Sequence, residues 1–179
     1  QRGEPKTLVW EEKTPVSVAR WALDGVEVLN GTIYFVGGHN GSAKNIAERY
    51  DPVTNTWETL NSMSVARTGV SSAVLNGKIY AIGGDGLSSV EVFDPSTNAW
   101  STGPALPSEV GSGCAIVANE KLYHIGGWHN SQNVKFVYML DASTNSWARL
   151  ADMPTARHGL KLAWFDNRIW AVGGYDGSY

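Results

Sequence analysis

The segment Ile79-Tyr80-Ala81-Ile82-Gly83-Gly84 joins a short apolar run to a pair of glycines, and Phe93-Asp94-Pro95 and Thr97-Asn98-Ala99-Trp100 follow it. Paired glycines recur along the 179 residues with spacings of 46, 43 and 47, beginning at Gly37, Gly83, Gly126 and Gly173. A repeat of this length predicts a protein built from stacked copies of one small unit.

Two further series keep the same period. One consists of tryptophans that are 47, 43 and 47 residues apart, at Trp10, Trp57, Trp100 and Trp147. The other consists of aspartates that stand six residues before a tryptophan, at Asp51, Asp94 and Asp141. Three independent series with one period establish an internal repeat.

Within a repeat the local signals are those of strands and turns. In the first copy Val26–Leu29 and Ile33–Val36 flank Asn30-Gly31, which suits a two-residue hairpin because both turn positions need a positive φ. A third strand is predicted at Ala47–Tyr50 and a fourth at Thr56–Leu60. No stretch shows a 3.6-residue apolar period of helical length. Each unit is therefore a four-stranded antiparallel meander, and copies must stack to bury its faces.

The diglycine, the aromatic-Asp-Pro and the Thr-Asn-x-Trp together resemble the kelch repeat, and the resemblance runs from Trp10 to Gly174. It implies an all-β fold, a kelch-type β-propeller in which each repeat forms one blade around a central channel. We expect a single propeller domain or propeller portion over residues 1–179. Three complete blades lie at about 21–61, 68–104 and 111–151, and a split fourth blade combines 158–179 with a strand at 7–11.

The resemblance leaves the closure of the ring open. The chain is a four-blade ring with one defective blade, part of a larger ring, or half of a ring made by two chains. Kelch propellers usually have more than four blades, which favours the second and third alternatives. A homodimer completing the ring is therefore among the expected partners.

The repeating residues are interpreted as framework. Glycine pairs at a strand end let neighbouring strands pack closely. The repeated tryptophans, Trp10 included, are predicted to be core between blades. Arg20 and Glu48 in the first copy correspond to Arg67 and Glu91 in the second, whereas the third copy has Val110 and Tyr138. Because both charges disappear together, an Arg–Glu pair inside each of the first two blades is predicted.

Composition limits the function classes. The formal net charge is −3, which argues against nucleic acid as a partner, because phosphate binding needs a concentrated basic surface. No run of about 18 apolar residues predicts a transmembrane helix, and no membrane partner is expected. The single Cys114 excludes a disulfide framework and a cysteine-based zinc site, and it is expected to be buried. No catalytic residue, metal site or cofactor is predicted, and the compartment is left open.

Candidate binding residues come from two loops in each repeat. In kelch binding domains, partners dock on the face formed by the loop after the diglycine and the loop after the arginine that precedes the first strand. In this sequence these loop positions differ in every repeat, whereas the framework recurs. The first loop begins at His39, Asp85, Trp128 and Tyr175, and the second at Trp21, Thr68, Gly111 and His158. With neighbouring polar groups, the predicted ligand-binding residues are Trp21, His39, Asn40, Thr68, Asp85, Trp128, His129, His158 and Tyr175.

Two functions from different classes follow. Aromatic rings with a few polar groups on a concave face suit a protein or peptide segment, and this predicts a non-enzymatic recognition module. The alternative is a glycan-binding or carbohydrate-acting propeller similar to the mutarotase and oxidase members of the family. That alternative should show converging carboxylates or arginines, and Asp85 is the single charged residue among the eight loop positions.

Overall fold

The computed structural model describes residues 10–21, 25–141 and 143–178, and every regular element in this part of the chain is a β-strand. Blade one contains β1 (Val26–Leu29), β2 (Thr32–Val36), β3 (Ala47–Asp51) and β4 (Thr56–Thr59). Blade two contains β5 (Ser71–Leu75), β6 (Lys78–Ile82), β7 (Val90–Asp94) and β8 (Ala99–Gly103). In both blades the strands pair antiparallel in sequence order, as predicted.

The next two units vary this plan. Blade three contains β9 (Cys114–Ala118), β10 (Lys121–Ile125), β13 (Val137–Asp141) and β14 (Ser146–Arg149), and a small hairpin of β11 (Trp128–His129) and β12 (Gln132–Asn133) precedes its third strand. In blade four the described residues form β15 (Lys161–Phe165) and β16 (Arg168–Val172). The first strands of successive blades contact one another, β1 with β5, β5 with β9 and β9 with β15.

The hairpin between the first two strands is the same in every blade. Asn30 and Gly31 have φ values of 51° and 77°, and Asn76 and Gly77 have nearly the same values. Blade three makes this turn with Asn119 and Glu120, at 50° and 61°, although glutamate is rarely left-handed. The right-handed twist of the paired strands requires this type of turn, and it forms even where the sequence has no glycine.

The paired glycines connect each blade to the next. The second glycine donates its backbone N–H to the carbonyl of the residue at the arginine position of the following blade, in the pairs Gly38 to Arg67, Gly84 to Val110 and Gly127 to Arg157. At the first glycine a Cβ would meet that same carbonyl, and at Gly83 it would lie 2.3 Å from the Val110 oxygen. The structural interpretation is confirmed for the first three diglycines, which are interblade contacts with no room for a side chain, whereas a Cβ at Gly173 would meet nothing within 4 Å.

The repeated tryptophans link each of the first three blades to the connection that precedes it. The indole Nε1 of Trp57 donates to the Thr14 carbonyl, that of Trp100 to Asn61 and that of Trp147 to Pro104. Each acceptor belongs to the connection that enters the blade of the tryptophan. Trp147 is buried and Trp57 and Trp100 are half-buried, so the ring faces the core while its nitrogen reaches the connection.

The predicted Arg–Glu pairs are confirmed. Arg20 contacts Glu48 in blade one, and Arg67 lies 3.1 Å from Glu91 in blade two, with both arginine side chains fully buried. In blade three Val110 and Tyr138 are buried in their place, and the Tyr138 hydroxyl donates to Ser108 Oγ. One apolar residue and one hydroxyl thus replace two charges.

Three expectations need correction or lie outside the described residues. Trp10 is 91% exposed, so its prediction as core is wrong. The strand predicted at 7–11 falls mostly on residues outside the described part, and Trp10 and Glu11 lie in no strand. Cys114 is half-buried at the start of β9 rather than fully buried, because the first four residues of this strand are all partly exposed. Between residues 10 and 178, leaving out 22–24 and 142, no helix could cross a membrane and no three potential metal ligands cluster.

Candidate binding face

Both loop classes lie at the same end of the blades, because a four-stranded meander returns its second and fourth strands to one end. We call this end the loop face and define it by Trp21, His39, Thr68, Asp85, Gly111, Trp128, His158 and Tyr175. Residues 30–31 and 119–120, in the hairpin turns of blades one and three, lie at the other end.

The two loops of each blade are joined directly by backbone hydrogen bonds. Trp21 and His39 exchange two N–H···O bonds of 3.0 and 2.9 Å, and His158 and Tyr175 exchange two of 3.2 and 2.9 Å. Gly111 and Trp128 form the same bridge, and Asp85 donates its N–H to Thr68 across 2.9 Å. The framework therefore fixes the backbone of all eight positions and leaves their side chains to vary.

The aromatic side chains of the loop face form two groups. On blades three and four, the His158 ring lies 5.3 Å from the Trp128 ring and 5.7 Å from the Tyr175 ring, edge to face in both contacts. On blade one, the Trp21 and His39 rings lie 4.6 Å apart. Trp21, Trp128 and Tyr175 remain 65%, 40% and 37% exposed, which is unusual for large rings that already pack against a neighbour.

The hairpin β11–β12 gives Trp128 a rigid support. Its turn residues Asn130 and Ser131 both have positive φ, as in a two-residue hairpin. The His129 ring donates from Nδ1 to the Glu109 carbonyl at 2.6 Å and accepts from the Asn130 amide at Nε2. His158 Nδ1 lies 2.6 Å from Asn133 Oδ1, which ties the hairpin to blade four.

Asp85 extends from blade two toward blade three. A Cβ on Gly111 would lie 2.1 Å from Asp85 Oδ1, so the missing side chain at Gly111 leaves the space that the carboxylate occupies. Partial burial raises the pKa of the Asp85 carboxyl, and the nearby His158 opposes that shift. Gly111 thus contributes to the loop face by leaving space for the Asp85 carboxylate.

A cavity of about 310 Å³ opens on the loop face between blades two and three. Its lining includes predicted binding residues together with residues that the sequence did not indicate: Asp85, Gly86, Glu109, Trp128, His129, Asn130 and Ser131. The cavity is at the small end of the range for ligand pockets, about 300–1,000 Å³. It suits one side chain or one small ring.

The remaining predicted residues contribute in other ways. Asn40 is exposed in a turn where its N–H donates to the Ser42 carbonyl, and Thr68 offers its carbonyl to Asp85. Sequence reasoning missed Glu109 and Asn133. Glu109 stands directly before Val110, which replaces the arginine of the first two blades. This departure from the repeat could have indicated that the loop is unusual.

Blades of four antiparallel strands, joined in a row through their first strands, define a β-propeller. The chain belongs to the kelch-repeat family, since the model of the KLHDC2/KLHL20/DRC7 Kelch-repeats domain matches residues 25–179.

Known proteins agree with this assignment. An F-box/kelch-repeat protein from Arabidopsis thaliana is 40% identical over 77 residues, which are 42% of this chain and 20% of that protein. Kelch-like protein 25 from Xenopus tropicalis is 31% identical over 188 residues, 94% of this chain and 31% of that protein. The solved structure of YjhT shares the fold with a TM-score of 0.72 and 20% identity, over 91% of this chain and 60% of that one. The chain thus spans a third or less of the F-box/kelch-repeat protein and of Kelch-like protein 25.

Proposed function

We propose that this kelch propeller is a non-enzymatic recognition module that binds a protein or peptide segment on its loop face. The observation that carries the proposal is the row of three rings across blades three and four, in which Trp128 and Tyr175 are exposed and His158 lies half-buried between them. Aromatic anchors of this kind dominate the binding energy of protein interfaces.

The division of the repeat into framework and variable residues supports the proposal. Hydrogen bonds between backbones hold the eight loop positions, so packing does not require a ring at any of them. Even so, large exposed rings occupy three of these positions, Trp21, Trp128 and Tyr175. A face whose backbone is fixed loses little conformational entropy when it binds.

The polar side chains of the face favour binding over catalysis. His129 is held by the Glu109 carbonyl and by Asn130, and His158 is held by Asn133. These contacts use both ring nitrogens of His129 and the Nδ1 of His158 to fix loops, whereas a general base needs a ring nitrogen aimed at the substrate.

The test is a random peptide display library selected on the immobilised 179-residue chain, with Trp128→Ala as the counter-selection. We expect enriched peptides that bind the wild type and lose affinity for the variant. A parallel selection on Val53→Ala, which removes an exposed side chain in the turn between β3 and β4, should enrich the same peptides.

Two outcomes would contradict the proposal. Peptides that bind wild type and Trp128→Ala equally would place the recognition surface elsewhere. No peptide binding, together with saturable binding of a free monosaccharide that depends on Trp128, would instead support the carbohydrate alternative, since a sugar ring can stack on the same indole.

A further inference from the structure

We propose that the cavity between blades two and three takes a cationic side chain of the bound segment, an arginine or a lysine. The inference rests on the proposed recognition function and adds the chemistry of the anchor. It is drawn from an aromatic ring and two acidic residues that line one cavity.

The acidic residues of the cavity have no cationic partner within the described residues. Neither Asp85 nor Glu109 forms an ion pair there, whereas Glu48, Glu58 and Glu91 are each paired with an arginine. The one titratable neighbour acting on Asp85 is His158, which opposes the rise in the pKa of that carboxyl. The lining of the cavity thus contains two carboxyl groups and no lysine or arginine.

The immediate surroundings of Asp85 also favour a cation. Its carboxylate lies against the backbone of Gly69 and Gly111, and the loss of water raises its pKa. An arriving guanidinium or ammonium would restore favourable interactions for this charge. A carboxylate arriving there would meet repulsion from both acids.

Trp128 supplies the other half of the site. Its ring is 40% exposed and lines the same cavity, and a cation over an indole face gains the strongest of the cation–π interactions. The neighbouring His129 bonds through Nδ1 to the Glu109 carbonyl and through Nε2 to the Asn130 amide, so both of its ring nitrogens already have partners. A volume of about 310 Å³ holds one side chain rather than a folded element.

The test uses N-acetyl-arginine N-methylamide and its citrulline counterpart, which has nearly the same shape and no charge. Binding is followed at pH 8 through the NMR signal of the Trp128 indole N–H, assigned with Trp128→Phe. We expect the arginine probe to shift this signal and to bind about fivefold or more tightly than citrulline. Asp85→Asn with Glu109→Gln should remove the difference, and Glu120→Gln at the opposite end of blade three should keep it.

Equal affinity for the two probes, or no shift from either at tens of millimolar, overturns the inference. A charge preference that survives in the Asp85→Asn, Glu109→Gln variant overturns it as well. The peptide selection is independent of charge, so Trp128-dependent peptides that lack arginine and lysine would leave the recognition function standing while the cationic anchor fails.

Discussion

Arg67 and Glu91 form an ion pair of 3.1 Å inside blade two, and both side chains are almost completely withdrawn from solvent. Arg67 also donates to the carbonyls of Gly83 and Ser89, so it joins the diglycine of its own blade to the third strand. Its backbone carbonyl accepts the Gly38 N–H from blade one. One residue therefore closes a blade with its side chain and attaches it to the previous blade with its backbone.

Removing one partner of this pair should be costly. We expect Arg67→Val to lower the free energy of unfolding by about 3–5 kcal/mol, because Glu91 is left as an unpaired buried charge. Urea unfolding measures the loss. The double variant Arg67→Val, Glu91→Tyr copies Val110 and Tyr138 of blade three and should recover at least half of it. A double variant no better than the single one would show that the two residues do not act as a pair.

Local chemistry made much of the fold predictable. The Asn-Gly turns and the apolar strands depend only on residues that are close in sequence. The same holds for the aspartates in the turn between the third and fourth strands, as when Asp94 Oδ1 accepts the Ser96 N–H. What the glycine pairs contact could not be predicted, because the acceptor of the Gly84 N–H belongs to another blade. Trp10 shows the limit of the repeat: it keeps the sequence period and yet lies exposed.

The buried His124 should make the protein sensitive to acid. Burial lowers the pKa of His124 to about 4 in the folded state, against an ordinary value near 6.5 when unfolded. The unfolded chain therefore binds the extra proton first, and stability is lost as the pH falls from about 6.5 toward 4. At pH 4.5 this amounts to roughly 2.5 kcal/mol of unfolding free energy.

His124→Ala provides the control for that prediction, because Ala81 occupies the corresponding position in blade two. The variant should be less stable than wild type at pH 7, since it leaves a cavity, but should lose less stability between pH 7 and 4.5. If the unfolding free energies of the two proteins fall equally between pH 7 and 4.5, another group carries the acid sensitivity.

The sequence predicted which loop residues form the candidate site, but it did not predict the shape of the surface that they form. The repeat indicates which loop residues are free to vary, and backbone pairing of Trp21 with His39 follows from the same framework. The hairpin β11–β12 was not anticipated, because its turn is Asn130-Ser131 rather than Asn-Gly. Whether Glu109 lines a cavity depends on how blade three packs beside blade two, which a single repeat does not encode.

Two tryptophans should respond oppositely to truncation. Trp147→Ala should cost about 3–5 kcal/mol of stability, because the ring is buried in the core between blades two and three. Trp128→Ala should leave stability within about 1 kcal/mol and weaken peptide binding by about 2 kcal/mol or more. Thermal unfolding and calorimetric titration with a selected peptide measure the two effects. A large loss of stability in Trp128→Ala would make that ring part of the framework.

Glu120 is a site where the protein can be stabilised. It adopts φ of 61° in a turn where blades one and two use glycine. Glu120→Gly should raise the unfolding free energy by about 0.5–1 kcal/mol, because glycine adopts this conformation without steric cost. Glu120→Ala removes the charge and keeps the strain, so it should give no gain. If alanine stabilises as much as glycine, the charge rather than the backbone is responsible.

The open face of blade four should make the chain associate. The register of β15 with β16 places Phe165, Trp170 and Val172 on one side of the sheet, where they are 70%, 48% and 61% exposed. The corresponding sheets of blades two and three pack against each other and bury most of their apolar side chains, whereas this face of blade four stays exposed.

We expect light scattering to give a species of at least twice 19.4 kDa for the wild type. Phe165→Lys with Val172→Lys should shift it toward the single chain by placing charges on the face, whereas Val53→Lys, in the exposed turn between β3 and β4, should not. A wild-type chain that stays at 19.4 kDa at high concentration would mean that this face tolerates water.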